Sequence, residues 1–163
     1  MRHLSVIVAV LAAGCETAAK PAPAAVPDAP APGAASIESA SFVATLNVDL
    51  AASTKTGSGL YYRDLAVGTG AAVATGQRVS VHYVGSLPDG AVFDQNTAAD
   101  PPYAFTPGAG RVITGWEEGV LGMKVGGKRQ LIVPPALGYG AGGRGPIPPD
   151  AILVFTVEVV DIQ

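Results

Sequence analysis

The chain has 163 residues, enough for one ordinary domain with appendages, and a net charge of −3, which lacks the basic footprint of a nucleic-acid binder. From residue 57 onward seven Lys and Arg stand against nine Asp and Glu, so no basic face is hidden by an acidic tail. One cysteine and two histidines leave no internal disulfide, no zinc cluster and no Ser-His-Asp triad to build, so the sequence implies neither metal nor cofactor.

Residues 1–14 read as a signal segment. Arg2 supplies a positive start, and an apolar run over 4–13 follows that is too short to span a bilayer as a helix. The ending LAAGC, residues 11–15, resembles a bacterial lipobox, in which the cysteine is lipidated and becomes the first mature residue. That resemblance implies a membrane anchor on Cys15; the plainer alternative is an ordinary signal peptide with an accidental cysteine. Residues 15–35 are then a linker. Of the twenty residues in 16–35, nine are Ala and five are Pro, which prevents a continuous helix and favours extended chain. At ~3.1 Å per residue such a spacer reaches roughly 60 Å. Glu16 stands where enteric lipoproteins retained at the inner membrane carry Asp, so the expected location is the cell envelope, on the outer membrane facing the periplasm in a Gram-negative cell.

Residues 36–56 admit two patterns. Phe42, Leu46 and Leu50 suit a helix; Leu46, Val48 and Leu50 suit a strand. The segment is either an extended lead-in docked on the domain or a short helical or self-association element.

From residue 57 to 163 short β-rich runs alternate with Gly and Pro turns, which defines the folded domain. Strands are predicted over 60–67, 78–84 (with Val79, Val81 and Tyr83 on one side), from Val92 onward, over 128–133 after the Gly126-Gly127 turn, and over 152–162. Pro88-Asp89-Gly90 makes a tight turn. A single helix starts at TGWE, residues 114–117, a capping-box pattern in which Thr114 caps and Glu117 reaches back. Trp116 and Val120 share a helix face, and Gly119 and Gly122 permit close approach to a sheet. His82 is expected as an outer strand residue, and Lys124, Lys128 and Arg129 as solvated hairpin charges. The expected fold is α+β: a curved antiparallel β-sheet wrapped around one short α-helix, in a monomeric domain.

Four blocks then become specific. VHYVGSLPDGAVFD (81–94), VITGWEEGV (112–120), PPALGYG (134–140) and IPPDAILVF (147–155) resemble, in order and spacing, the motifs of FKBP-type peptidyl-prolyl cis-trans isomerases. The resemblance implies a catalytic pocket of Tyr83, Phe93, Asp94, Trp116, Tyr139 and Phe155. Trp116 would be its floor, Tyr83, Phe93 and Phe155 its walls, Asp94 a lone buried carboxylate and Tyr139 a hydroxyl donor. It implies substrate contacts at Tyr103, Phe105, Val112, Ile113 and Ile147, with the Ile113 N–H meeting a substrate carbonyl. Without the resemblance these aromatics read as ordinary core. Two departures stand out. The stretch QNTAAD, 95–100, lacks the arginine with which the family pairs its pocket aspartate, and the flap at 144–147 is about one residue short. The implied partners are proline-containing polypeptides and macrolide ligands. The implied activity is isomerisation of X–Pro bonds in exported proteins, and its alternative is a non-catalytic prolyl-peptide binder or chaperone tethered at the membrane.

Overall fold

A computed structural model of the chain describes residues 36–163. The signal segment, Cys15 and the spacer lie outside these residues. Among the described residues no helix is long and apolar enough to cross a membrane.

The strands are β1 (Thr54–Lys55), β2 (Tyr61–Ala66), β3 (Val79–Ser86), β4 (Val92–Asn96), β5 (Tyr103–Phe105), β6 (Lys128–Val133) and β7 (Leu153–Ile162), with one helix, α1 (Thr114–Gly119), before β6. They form one antiparallel sheet in the order β1-β2-β6-β7-β3-β4, with β5 also pairing β3. β1 and β5 are additions to the sequence reading. Each is only two or three residues long and is defined by its partner rather than by a visible alternation. At the β3–β4 turn, Gly90 has φ +88°, which a side chain would resist.

Strand alternation divides the sheet into two buried faces. Leu131, Val133, Leu153, Phe155, Val157, Val79 and Val81 point into the concave side, where Trp116 of α1 and Val120 just after it complete the core. Ile132 and Val154, one step out of phase, join Tyr61 and Ile152 on the opposite face. Three irregularities in register bend the sheet around the helix. At two of them the extra residue, Leu65 on β2 or Val160 on β7, is turned out to solvent.

The lead-in docks on that second face. It has two 3-10 turns, Ile37–Ser39 and Ala44–Leu46, and otherwise runs extended. Ile37 is buried, and Phe42, Leu46, Val48 and Leu50 pack beside it on the outward face of the sheet. Gln130 Nε2 donates to Leu46 O at 2.7 Å and Arg63 Nη2 to Asn47 O at 2.7 Å. Glu38 accepts from Tyr61 Oη at 2.6 Å and pairs with Lys55. These hydrogen bonds, from Lys55 first and then Ser36 and Tyr61, hold the Glu38 carboxyl well below the usual carboxylate range. Between its two 3-10 turns the segment is extended and buries its apolar side chains against the sheet, which supplies the partner surface an α-helix would otherwise need.

Three expectations about α1 and its surroundings are corrected. No capping box forms. Ile113, with extended backbone, is the residue before the helix, and Glu117 Oε1 accepts the Gly110 N–H at 2.6 Å instead. Gly122 makes no close approach; at φ +75° it is a turn residue with open space where a Cβ would be. Arg129 is not solvated but 8% exposed. Its Nε and Nη2 donate to Asp64 at 2.6 and 3.0 Å, and its Nη1 donates to Gly119 O and Leu121 O at 3.0 and 3.2 Å. One side chain of β6 thus pairs with β2 and satisfies the carbonyls at the end of α1. Replacing it leaves those carbonyls unpaired under the sheet. Arg129→Met is expected to lower stability by about 2–3 kcal/mol, discounted for the half-open Asp64 side. The check is a lowered urea midpoint with unchanged m-value.

Candidate active site

Above Trp116 the concave face opens into a cavity of about 640 Å³. Its parts come from separate elements: Tyr83 from β3, Phe93 and Asp94 from β4, Tyr103 from β5, Phe155 from β7, and the flap residues Tyr139, Arg144 and Ile147 between β6 and β7. Val112 and Ile113 form the rim just before the helix.

Trp116 is only 4% exposed and sits at the meeting point of the rings. Its centroid lies 4.9 Å from Tyr83 and 5.3 Å from Phe155, both edge-on, and 5.5 Å from Phe105 at 52°. Phe93 meets Phe155 edge-on at 5.5 Å. Such edge-to-face pairs each contribute about 0.5–1.5 kcal/mol beyond burial and fix ring orientation. The depth of Trp116 is set by two glycines. A Cβ on Gly115 would come within 2.6 Å of Val133 Cγ1, and one on Gly119 within 2.7 Å of Leu131 Cδ2, so α1 lies directly on β6.

Phe93 reaches the cavity through an irregularity in pairing. Gly85 pairs with Asp94 and Ser86 with Val92, so Phe93 is the extra residue of a bulge between β3 and β4. A bulge re-aims the side chain it carries. Room for that ring exists because position 85 has no side chain. A Cβ there would lie 2.7 Å from Phe155 and 2.8 Å from Phe93.

The polar edge differs from expectation in two places. Asp94 is exposed rather than buried, because β4 is the last strand of the sheet and the carboxylate side opens to solvent. Tyr83 Oη donates to Asp94 Oδ2 at 2.8 Å, and this bond stands in place of the missing arginine. Burial first, and then that hydrogen bond to the carboxylate, push the Tyr83 phenol well above its ordinary value. The protonated phenol therefore persists throughout the neutral range. The stability it contributes is fully present below a tyrosine's ordinary pKa near 10 and is lost only as pH rises through the higher folded value. The second correction is Phe105. It does not line the cavity but is buried behind Tyr103, stacked on it at 6.1 Å and packed against Trp116. It supports the wall, while the partly exposed Tyr103 forms it.

Tyr139 stands on the flap with Arg144 over its ring, 5.7 Å from guanidinium carbon to centroid. The Ile113 N–H makes none of the hydrogen bonds among the described residues. His82, on β3, faces away from the cavity and bonds through Nδ1 to Asn96 Oδ1 at 2.9 Å. Gly85, Arg111 and Arg144 were not legible as site residues. Arg111 and Arg144 flank the recognisable motifs rather than belonging to them, and the role of Gly85 depends on two rings distant in sequence.

A curved antiparallel sheet packed on one short helix, with an aromatic cavity floored by the helix tryptophan, is the α+β arrangement of an FKBP-type domain. The family profile described as FKBP-type peptidyl-prolyl cis-trans isomerase matches residues 70–160, and the chain belongs to that family. It is 46% identical over 105 residues to an FK506-binding protein of Neisseria meningitidis serogroup B, covering 64% of this chain and 96% of that one. It is 54% identical over 89 residues to FK506-binding protein 2 of Yarrowia lipolytica, of which it covers 62%, and it covers 29% of FK506-binding protein 4 of Rhizopus delemar. Among solved structures it is similar to FkpA from Escherichia coli, with TM-score 0.63 and 38% identity, over 69% of this chain and 52% of that one. It is equally similar to a peptidyl-prolyl cis-trans isomerase from Pseudomonas syringae pv. tomato, with TM-score 0.62 and 36% identity, over 69% and 81% of the two chains.

The packing around Gly85 generates a prediction. Gly85→Ala forces Phe93 and Phe155 apart. It is expected to cost about 1–3 kcal/mol and to weaken the near-ultraviolet circular dichroism of the aromatic cluster, read beside the urea midpoint.

Proposed function

We propose that this chain catalyses cis-trans isomerisation of X–Pro bonds in exported polypeptides, in the cavity above Trp116. The observation that carries the reading is the convergence of the Tyr83, Phe93, Trp116 and Phe155 rings, from four separate elements, on one open cavity.

The chemistry needs no nucleophile, metal or proton shuttle. Rotation about the bond crosses a barrier of ~18–20 kcal/mol because it breaks amide resonance. In the planar amide charge is separated between oxygen and nitrogen; at the twisted midpoint that separation falls. A pocket that replaces water with aromatic rings disfavours the planar form more than the twisted one, so it favours the transition state. The prolyl ring would rest on Trp116 between Phe93, Phe155 and Tyr83. The Ile113 N–H and the Tyr139 hydroxyl would hold the carbonyl of the preceding residue while the prolyl side turns. Val112, Ile147 and Tyr103 would close the rim around the chain. Asp94 acts here by fixing the Tyr83 hydroxyl, which keeps the ring in the wall. The relatives' name, FK506-binding protein, supports the same cavity as a site for a macrolide ligand.

The N-terminal sequence supports an anchored form. Cys15 after the short apolar run would carry the lipid, and residues 16–35 would let the domain work some distance from the membrane, on the periplasmic side of the outer membrane in a Gram-negative cell.

Two measurements test this reading. In a peptide isomerisation assay the purified chain is expected to accelerate X–Pro interconversion, and Tyr139→Phe to lower kcat/KM about three- to tenfold, the value of one hydrogen bond. Trp116→Ala should remove at least that much, part of it through the ~3–5 kcal/mol lost with a large core ring. Peptide binding without acceleration would leave a non-catalytic binder. For the anchor, labelling of growing cells with a radioactive fatty acid should mark the wild-type chain and not Cys15→Ser; equal labelling of both removes the lipidation site.

A further inference from the structure

Three residues lining the cavity carry formal charge: Asp94, Arg111 and Arg144. Asp94 is engaged by the Tyr83 hydroxyl. Neither arginine has a carboxylate within ion-pair distance among the described residues, although acidic residues outnumber basic ones in the chain. Both are exposed.

Their positions are specific. Arg111 immediately precedes Val112 and Ile113 on the helix side of the mouth, and Arg144 reaches over the Tyr139 ring from the flap side. Both arginines therefore line the same cavity mouth as Ile113 and Tyr139, the residues that the isomerase reading assigns to the substrate carbonyl. That carbonyl belongs to the residue before proline, so that residue's side chain leaves the backbone one atom from the held group, at the cationic rim. Resting on that reading, we infer that Arg111 and Arg144 are specificity-determining residues and that the substrate class is X–Pro segments in which X is Asp or Glu. A guanidinium suits this task because its planar fork of donors matches a carboxylate and its stacking on Tyr139 limits the freedom it loses on pairing. The overall charge of −3 repels acidic chains weakly at long range, and the mouth reverses that sign locally.

The test is a series of peptides identical except for Glu, Gln, Leu or Lys before proline, assayed with the full chain. The expected Glu to Gln ratio of kcat/KM is about 1.5- to fivefold at low salt, the range for exposed charge pairs. It should fall toward one at ~1 M salt, where the screening length is about 3 Å. In the double variant R111Q/R144Q the ratio should fall to about one, whatever the change in the Gln peptide's own rate. A wild-type ratio at or below one, a best substrate with Leu, or a ratio retained in the double variant would overturn the inference. The same peptides are also titrated against the fluorescence of Trp116, the chain's single tryptophan. If no peptide is accelerated, the isomerase reading fails, and the ratio of dissociation constants for Glu and Gln peptides still decides the acidic preference by itself.

Discussion

The site depends on one close approach. α1 can lie directly on β6 because positions 115 and 119 carry no side chain toward Val133 and Leu131. With any larger residue at either position the helix would ride higher, and Trp116 would rise with it into the cavity. The glycines carry an entropic cost in a helix, since each has more backbone freedom to lose than Ala. A six-residue helix has little stability of its own. It is held instead by its contacts. Trp116 and Val120 are buried below, Glu117 ties back to Gly110, and Arg129 takes the carbonyls at the far end. The helix is thus less a stable element that packs on a sheet than a turn of chain that the sheet keeps helical so that one ring can be placed.

The walls follow a different rule. Edge-to-face aromatic contacts need rings at defined angles, and strand alternation alone offers only two directions. Phe155 obtains its direction from the regular alternation of β7. Phe93 obtains its direction by leaving the alternation, as the extra residue of a bulge whose partner on β3 is the bare Gly85. Bulge and glycine act together: without the bulge Phe93 would face away from Phe155, and with a side chain at position 85 the two rings would not fit. The same bulge lies beside Asp94 at the sheet's margin, which leaves this carboxylate exposed and dependent on Tyr83 for its contact within the pocket.

Much of this was legible in the sequence, for physical reasons that also explain the rest. The alternation of Leu153, Phe155, Val157 and Val159 is long enough to declare β7 and its buried face, and Trp116 with Val120 declares the inner side of the helix. The four motifs carry the family, and with it the pocket's floor and walls. What escaped depends on partners distant in sequence. Arg129 looks like a surface charge until β2 brings Asp64 beside it and the helix end comes to lie above it. The sequence TGWE satisfies a capping pattern, but the preceding loop offers the Gly110 N–H to Glu117, and the side-chain cap is not formed. Phe105 and Tyr103 differ in role although they lie two residues apart on the same face of β5. Only the stacking of one behind the other decides which ring meets the cavity.

The lead-in adds a constraint that lies outside the matched family region of 70–160. An edge strand such as β4 pairs on one side only, so the wall it carries has no further strand beside it. Here the chain before the domain crosses the outer face of the sheet and reaches the β3–β4 turn. The Val43 N–H donates to Pro88 O at 3.0 Å, and the Val43 side chain fits against Gly90 so closely that a Cβ there would come within 2.9 Å of it. The turn is the point from which β4 departs toward Phe93 and Asp94. Fastening it from behind restricts the edge strand without occupying its free hydrogen-bonding side or the cavity. Residues 36–56 are therefore joined to the pocket through the strand that forms its margin. The lead-in lies on the sheet face opposite the pocket, which leaves the cavity mouth, with Arg111 and Arg144 on its rim, clear of residues 36–56.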